Sequence, residues 1–310
     1  MSKAGVSPTT NSEYLILYQV KNANPNGDPD DENRPRIDPK TKTNYVTDVR
    51  LKRFFRDYVV MKYGEDYVWV STQEGKNVDA TERFEHFGND PDKVLDKCID
   101  ARLFGATIAK KGGSKGKGES SKGKGDSYAF TGPLQFTWGY SLHKVDLMDT
   151  RSITSILSGR ESGSLNIGKD YRVYYSLIAF YGAFSWRRGK ETKVTDKDLK
   201  VFDNFLWEAI LHQSITRSKI GHTPLLYLRL EHKDPDTLIG DLRRFVTVKV
   251  KGENVRDISD LEVSVKGLVE KLNGKGTVYL RCNNDVIDNV CKELQGLNPV
   301  PLPHKGVTFP

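Results

Sequence analysis

The sequence predicts an α+β fold built on a βαββαβ core that is enlarged by insertions. Segments rich in β-forming residues alternate with two amphipathic helices in that order, which is the order of ferredoxin-like and RRM folds. The 310 residues include 13 Phe, 14 Tyr and 4 Trp, and 37% of all residues are hydrophobic, which is enough for a substantial core. No internal repeat of fixed period is present, so a solenoid is not expected.

The core elements follow from local patterns. The apolar run YLILYQV at 14–20 predicts a buried strand, and Thr47 is a suitable N-cap for the helix that follows. One face of that helix carries an apolar stripe of Leu51, Phe54, Phe55 and Tyr58. The later core elements are predicted as strands at 128–138, 171–181 and 224–231 and a helix at 194–212. Beyond the core we expect a strand at 245–250 and a helix around 284–295.

Five segments interrupt or extend this core. Residues 22–45 contain four Pro and many Asn and Asp, which predicts a long loop of the kind that is usually functional. Residues 64–100 are predicted as a small helical insertion and 143–170 as a hairpin excursion. Residues 110–127 consist of six Lys, six Gly, four Ser and two acidic residues, so we expect a flexible loop. The Pro-rich tail at 299–310 should be extended.

The charge indicates a polyanionic partner, but most of it is in one segment. The formal net charge is +7, from 48 Lys and Arg against 41 Asp and Glu. The Lys/Gly/Ser segment supplies more than half of that excess, so the net charge alone does not locate a binding surface. Five cations near the first loop and helix form a more local cluster: Arg34, Arg36, Lys52, Arg53 and Arg56. On a helical wheel Arg53 and Arg56 point away from the apolar stripe and Lys52 lies on its flank, so we expect these three to lie on the exposed face of the helix. Isolated candidates are Arg102, Arg217 and Lys219.

Other classes of protein are disfavoured. The N-terminus lacks the apolar core of a signal peptide and no apolar run is long enough to span a bilayer, so we expect a soluble, cytoplasmic chain with no membrane partner. Three cysteines form no CxxC motif and no even set, which is typical of reduced intracellular proteins. No P-loop, GxSxG, HExxH or dinucleotide motif is present, and the six His are scattered. We therefore expect no enzymatic activity, no metal and no cofactor.

One acidic cluster keeps a catalytic alternative open. Asp28, Asp30, Asp31 and Glu32 lie together in the first loop, and carboxylates this close can bind Mg²⁺ and assist phosphodiester cleavage. In the competing interpretation, which we favour, these side chains hydrogen-bond to nearby backbone and shape the turns. The RNA-stacking consensus of ordinary RRM domains is missing, so an RNA-binding RRM-like fold would have to use another surface.

Seven sequence blocks together resemble the Cas7 backbone subunits of type I CRISPR effector complexes, with type I-B as the nearest subgroup and type I-C close to it. The blocks are NANPNGDP (22–29), RPRID (34–38), VTDVRLKRFFRDY (46–58), ARLFGA (101–106), TGPLQFTWGYSLH (131–143), YSLIAFYG (175–182) and TRSKIG (216–221).

The resemblance implies a right-hand shape, with an RRM-like palm carrying fingers, web and thumb, and copies that polymerise along a CRISPR guide RNA. It implies further partners, namely target DNA paired to the guide, other Cascade subunits and a recruited helicase-nuclease. A subunit that coats a variable guide should contact its backbone and leave sequence to base pairing. By position, Asn24, Asn26 and the cations named above would contact the guide, and residues 64–100 would be the fingers.

The resemblance also implies a thumb, and it gives a second reason to consider RNA cleavage by the acidic cluster. Residues 143–170 fall where the family's thumb hairpin belongs, and Met148, Thr150, Ile153 and Ile156 are the candidates for displacing a guide base. The Lys/Gly/Ser loop lies near the expected web. Related type III backbone subunits cleave RNA with an Asp in a loop of this kind, which would make Asp28 the catalytic residue of a metal-dependent endoribonuclease. A free-standing RNA-binding protein is a third possibility.

Overall fold

The computed structural model describes residues 5–109, 127–148, 151–155, 166–213, 215–303 and 309. The α+β class is confirmed, since helices pack on both faces of a large mixed sheet. The Lys/Gly/Ser loop predicted at 110–127 lies outside the described residues except for its last position. None of the helices in the described ranges is both long enough and apolar enough to cross a membrane.

The strands are short except for three long central ones. In chain order the strands are β1 (Ser12–Ala23), β2 (Gly27–Asp28), β3 (Arg34–Pro35), β4 (Tyr45–Val46), β5 (Gly105–Ala109), β6 (Ser127–Thr131), β7 (Leu134–Phe136), β8 (Gly139–Ser141), β9 (Arg151–Ser155), β10 (Asn166–Asp170), β11 (Val173–Phe184), β12 (His222–His232), β13 (Thr247–Val250), β14 (Leu261–Ser264), β15 (Gly276–Cys282) and β16 (Val300–Pro301). The helices are α1 (Asp48–Tyr63), α2 (Ala80–His86), α3 (Pro91–Lys97), α4 (Ile99–Phe104), α5 (Trp186–Glu191), α6 (Asp196–Gln213), α7 (Lys266–Leu272) and α8 (Asn284–Leu294).

The main sheet has the strand order β16-β15-β12-β1-β11-β8-β4, and β7 also pairs with β11. Every pairing is antiparallel except that of β15 with β16. Strand β1 is central, because it pairs along its length with β11 on one side and β12 on the other. Its position explains why its sequence is almost continuously apolar rather than alternating.

Both faces of this sheet are covered. Tyr14, Ile16 and Tyr18 of β1 belong to the core that α1 and α6 complete on one face. Leu15 and Leu17 point to the other face and pack with residues of β14, α7 and α8. The C-terminal region therefore packs on the sheet face opposite to α1 and α6.

Helix α1 starts and packs as its sequence predicts. Thr47 has an extended backbone, and its hydroxyl accepts a hydrogen bond from the Arg50 backbone N–H at 3.3 Å. The stripe residues Leu51, Phe54 and Phe55 are at most 1% exposed, and Tyr58 is also buried.

The strand predicted at 128–138 is wrong as a single element. It is divided at Gly132–Pro133 into β6, which pairs with β5 in a separate ribbon, and β7, which joins the main sheet. A Cβ at Gly132 would lie 2.0 Å from the Phe104 carbonyl carbon, so the chain passes against α4 there. Proline lacks the N–H that an uninterrupted strand would need at the next position.

Several elements are absent from the sequence prediction, among them α5, α7, β14 and β15. The prediction that the cysteines are reduced is wrong for two of them. Cys282 at the end of β15 forms a disulfide with Cys291 of α8, with 5.8 Å between the Cα atoms. Cys98 is free and buried. Residues 64–100 contain α2, α3 and the start of α4. Trp69, Phe84 and Leu95 of this segment form a small separate core together with residues of α4 and β5.

Candidate nucleic-acid interface

The side chain of Asn26 connects the first loop (residues 22–45) to the start of α1 by hydrogen bonds. The Oδ1 atom of Asn26 accepts hydrogen bonds from the backbone N–H and the hydroxyl of Thr47, at 3.0 and 3.1 Å. Asn24 is 6% exposed and donates from Nδ2 to the Asn33 carbonyl at 2.7 Å. These bonds place the loop beside the positive end of the α1 dipole.

A cavity of 460 Å³ lies at this junction. Its walls come from the first loop, the start of α1, the base of the β9–β10 hairpin and the turn before β12. The lining residues are Asn24, Asn26, Gly27, Asn33, Arg50, Lys169, Asp170, Tyr171, Ser218 and Lys219.

Arg50 brings a positive charge to this cavity. Its guanidinium carbon lies 4.3 Å from the centroid of the Phe54 ring. Among the described residues no carboxylate is within ion-pairing distance of it, and its buried Nε has no hydrogen-bond partner. Burial lowers the pKa of Arg50, and the neighbouring Arg53 adds to the effect.

Lys219 adds a second cation. Its Nζ donates to the carbonyl oxygens of Asn24 and Pro25, at 2.6 and 3.4 Å. Burial, with the nearby Arg50 charge, lowers the pKa of Lys219 to about 7. Burial also lowers the pKa of His222, just after Lys219 on the chain, to about 3, so that its ring is neutral.

The acidic residue of the cavity is already paired. The carboxylate of Asp170 receives the Arg172 guanidinium at 2.8 Å and lies 3.6 Å from that of Arg217. Lys169 pairs with Glu32 at 2.9 Å. Two partly buried cations without carboxylate partners favour an anion in this cavity, since an anion would restore the electrostatic balance that burial removes.

A second, adjacent cavity of 320 Å³ lies under the loop and includes Arg34, Arg36, Lys42 and Tyr45 in its lining. The Arg34 guanidinium lies 4.5 Å from the Tyr171 ring centroid and donates to its hydroxyl at 3.0 Å. Arg36 pairs with Asp28 at 3.1 Å. The two cavities share the first loop as a common wall.

Residues 10–266 match the family model for CRISPR-associated protein Cas7. This chain belongs to the Cas7 family. The CRISPR-associated protein Cas7 of Haloferax volcanii is 31% identical to it over 282 residues, which cover 84% of this chain and 82% of the relative. Two solved structures titled CRISPR RNA-guided surveillance complex, one of them pre-nicking, contain similar chains. Their TM-scores are 0.47 and 0.43, each at 13% identity, covering 88% and 85% of this chain and 89% and 88% of theirs.

Two cations of α1 are not exposed as the sequence predicted. In this Cas7 family member Lys52 is 8% exposed and donates to Asp48 and Gln135, at 3.0 and 2.9 Å. Arg56 is 9% exposed and pairs at 2.8 Å with Asp100, which is fully buried. The helical-wheel prediction was wrong for both because α4 and β7 pack on a second side of α1.

Arg102 is also buried and has a structural partner. Its guanidinium forms two hydrogen bonds to the Asp198 carboxylate, at 3.1 and 2.7 Å, and a third to the Leu95 carbonyl at 2.7 Å. It ties α4 to the first turn of α6. Arg53 is exposed, as the helical wheel predicts, and pairs with Asp57 at 2.5 Å. Arg217 is also exposed and lies 3.6 Å from Asp170.

Two of the predicted thumb residues, Met148 and Ile153, fall at the base of a hairpin and on its first strand. Strands β9 and β10 pair antiparallel, with Ile153 opposite Gly168. Met148 is half-buried at the base of this hairpin, where its N–H donates to the Arg172 carbonyl at 2.8 Å. Thr150 and Ile156 lie outside the described residues.

The acidic cluster has structural partners. The Asp28 side chain caps a short 3₁₀ turn by accepting from the Asp30 N–H at 3.2 Å, in addition to its pair with Arg36. Glu32 accepts from Lys169 and from Tyr171, and the Lys169 bond lowers the pKa of Glu32. Within the described ranges no three His, Cys, Asp or Glu side chains are grouped as a metal site would require.

Arg50 was missed by sequence reasoning. It lies three residues after the N-cap and four before Phe54, so a wheel places it beside the apolar stripe. A cation at the buried edge of an amphipathic helix, close to its N-terminus, is the signal that could have identified it.

Proposed function

We propose that this chain is a non-catalytic backbone subunit that binds CRISPR guide RNA in a type I-B-like Cascade complex of the cytoplasm. Several copies would line up along one guide and present it for pairing with target DNA. Membership of the Cas7 family and the similarity to the Haloferax protein support this function. Other Cascade subunits and a recruited helicase-nuclease would complete the complex and cut the DNA.

The observation that carries the proposal is that Arg50 and Lys219 line the same cavity. Two cations without carboxylate partners, at the positive end of a helix, suit a phosphate group. Arg34 and Arg36 on the adjoining loop continue the positive surface. Lys52, Arg56 and Arg102 stabilise the fold in this proposal and do not contact the guide.

The fold supports contacts from the edges rather than from the sheet. We propose that β1, β11, β12 and the β7–β8 edge form a ferredoxin-like palm, that residues 64–100 act as fingers, and that the β9–β10 hairpin is the thumb. The C-terminal region covers most of the palm face, so a guide would lie along the first loop and the thumb base. Contacts there reach phosphates, which suits a guide of variable sequence.

Assembly on RNA tests this function. The purified chain is mixed with guide RNAs of increasing length and the particle mass is measured by mass photometry. The mass should rise by one subunit at regular increments of length. A single bound copy at every length would contradict polymerisation and favour a free-standing RNA-binding protein.

The second candidate is a metal-dependent endoribonuclease that uses Asp28. The ion pair of Asp28 with Arg36 and its hydrogen bond to the Asp30 N–H favour a structural role for the Asp28 carboxylate. Assembled complex is incubated with Mg²⁺ and matching target RNA, with and without Asp28→Ala. We expect intact RNA in both, whereas periodic cuts that disappear with Asp28→Ala would establish the nuclease.

A further inference from the structure

Three aromatic side chains lie together at one edge of the main sheet, two of them exposed and the third, Tyr45, half-buried. Trp138 is 45% exposed and Tyr140 is 42% exposed. The Tyr45 ring stacks on the Trp138 ring at 5.4 Å between centroids and 4° between planes, and lies 6.3 Å from the Tyr140 ring. We call Tyr45, Trp138 and Tyr140 the aromatic edge.

The sheet register shows which face these rings occupy. Tyr45 of β4 pairs with Tyr140 of β8, so the two side chains lie on the same face. Tyr140 in turn pairs with Ala179 of β11, which belongs to the core under the C-terminal region. The aromatic edge therefore lies on that sheet face, where Trp138 and Tyr140 remain exposed.

The backbone holds the aromatic edge in place. A Cβ at Gly139, between Trp138 and Tyr140, would lie 2.4 Å from the Phe180 ring, so β8 packs directly on the core. The Arg243 guanidinium donates to the Trp138 carbonyl at 2.8 Å and lies 5.6 Å from the Tyr140 ring centroid. Tyr45 and Tyr140 are thus presented on two paired strands, and Trp138 lies in the two-residue connection immediately before β8.

Cations lie on both sides of the aromatic edge, and two of them have carboxylate partners. Arg243, on one side, pairs with Asp241 at 2.7 Å, and Tyr45, on the other side, lines the cavity that contains Lys42 and the Arg36–Asp28 pair. Lys42 is exposed, and among the described residues it has no carboxylate within ion-pairing distance. Exposed aromatic faces beside a lysine without a carboxylate partner suit unpaired bases with their phosphates.

We propose that the aromatic edge is a stacking site for unpaired bases of single-stranded nucleic acid. This inference deepens the proposed function, because the site adjoins the same first loop, but it adds contacts to bases where that function needs only phosphates. Stacking is tolerant of sequence, since every base presents a π-face, so it is compatible with a variable guide.

Fluorescence of Trp138 provides the test. Trp69 and Trp207 are each 6% exposed, and Trp186 is half-buried, so quenching by a bound oligonucleotide should come mainly from Trp138. Oligouridylate and oligothymidylate 12-mers distinguish an RNA from a DNA ligand. We expect quenching that Trp138→Leu abolishes and that Trp186→Leu, the matched control, preserves.

Affinity measurements distinguish base stacking at the aromatic edge from phosphate binding in the 460 Å³ cavity of Arg50 and Lys219, which we call the phosphate cavity. Tyr140→Leu should weaken oligonucleotide binding roughly tenfold without changing the salt dependence, and Tyr140→Phe should restore it, because only the ring stacks. Arg50→Met should instead reduce the salt dependence and leave Trp138 quenching at saturation intact. Equal melting temperatures of the variants exclude misfolding as the cause.

Two results would overturn the stacking site. In the first, Trp138→Leu and Tyr140→Leu bind both oligonucleotides like the parent chain. In the second, these variants lose only self-association of the protein, measured without nucleic acid, and the aromatic edge is then a contact between copies. If Arg50→Met is neutral while Tyr140→Leu is not, the proposed phosphate contact fails and the stacking site stands.

Discussion

Replacing Arg50 by Met should weaken guide RNA binding without weakening the fold. Methionine keeps a long apolar stem over the Phe54 ring but removes the guanidinium that faces the cavity. No carboxylate among the described residues loses a partner in this change. Because a buried cation without a counter-charge costs desolvation free energy, the free energy of unfolding should stay the same or rise.

The size of the binding effect follows from one lost contact to a phosphate. A hydrogen bond to a charged group contributes about 1.5–3 kcal/mol, which corresponds to a loss in affinity of roughly 10- to 150-fold for one subunit. Each phosphate contact on a single strand contributes about 0.7 to the slope of log K against log salt concentration. The Arg50→Met slope should therefore be shallower by about 0.7.

Fluorescence anisotropy on a guide long enough for one subunit measures both quantities between 50 and 500 mM salt. Arg187→Met is the matched control, since Arg187 is 65% exposed, pairs with Asp236 and lines neither cavity. It should leave affinity and slope nearly unchanged. Unchanged affinity and slope with Arg50→Met would refute the assignment of this cavity to a phosphate.

Three further predictions concern Lys219, Arg56 and the disulfide. The pKa of Lys219 is about 7 in the free chain and a bound phosphate should raise it, so binding takes up a proton and guide affinity should fall as pH rises from 7 to 9, but not in Lys219→Arg. Because the unfolded chain keeps this proton up to its ordinary pKa, the same group should make the free energy of unfolding rise with pH above 7. Arg56→Met should cost about 3–5 kcal/mol in urea unfolding by isolating the buried carboxylate of Asp100, whereas Arg53→Met at an exposed pair should cost less than about 1 kcal/mol. Reducing the Cys282–Cys291 disulfide, or Cys291→Ser, should lower the free energy of unfolding by about 2–3 kcal/mol and leave guide affinity per folded molecule unchanged; a change in affinity would contradict a purely structural disulfide.

The sequence predicts the parts of this fold that depend on local chemistry. The Thr47 cap, the apolar stripe of α1 and the long central strands are visible because a cap and a periodicity are properties of neighbouring residues. The division of β6 from β7 depends on how Gly132 meets α4, and that contact joins distant parts of the chain. The disulfide is non-local in the same sense, since it depends on where β15 places Cys282 relative to α8.

The candidate site shows the same limit. The sequence identifies cations but not their partners, so Lys52, Arg56 and Arg102 could not be distinguished from free charges before their carboxylate partners were known. Arg50 is a candidate for binding a phosphate because Lys219, which is distant in the sequence, lines the same cavity. Whether a cation is available to a ligand depends on three-dimensional pairing, which periodicity does not report.

The most direct test of the phosphate cavity is the structure of the chain assembled on a guide RNA, determined by electron cryo-microscopy. The quantity to measure is the distance from the Arg50 guanidinium and the Lys219 Nζ to the nearest guide phosphate oxygen. We predict about 3 Å for both in every repeating subunit. Guide phosphates that lie beyond hydrogen-bonding distance of both residues in all subunits would contradict the central claim.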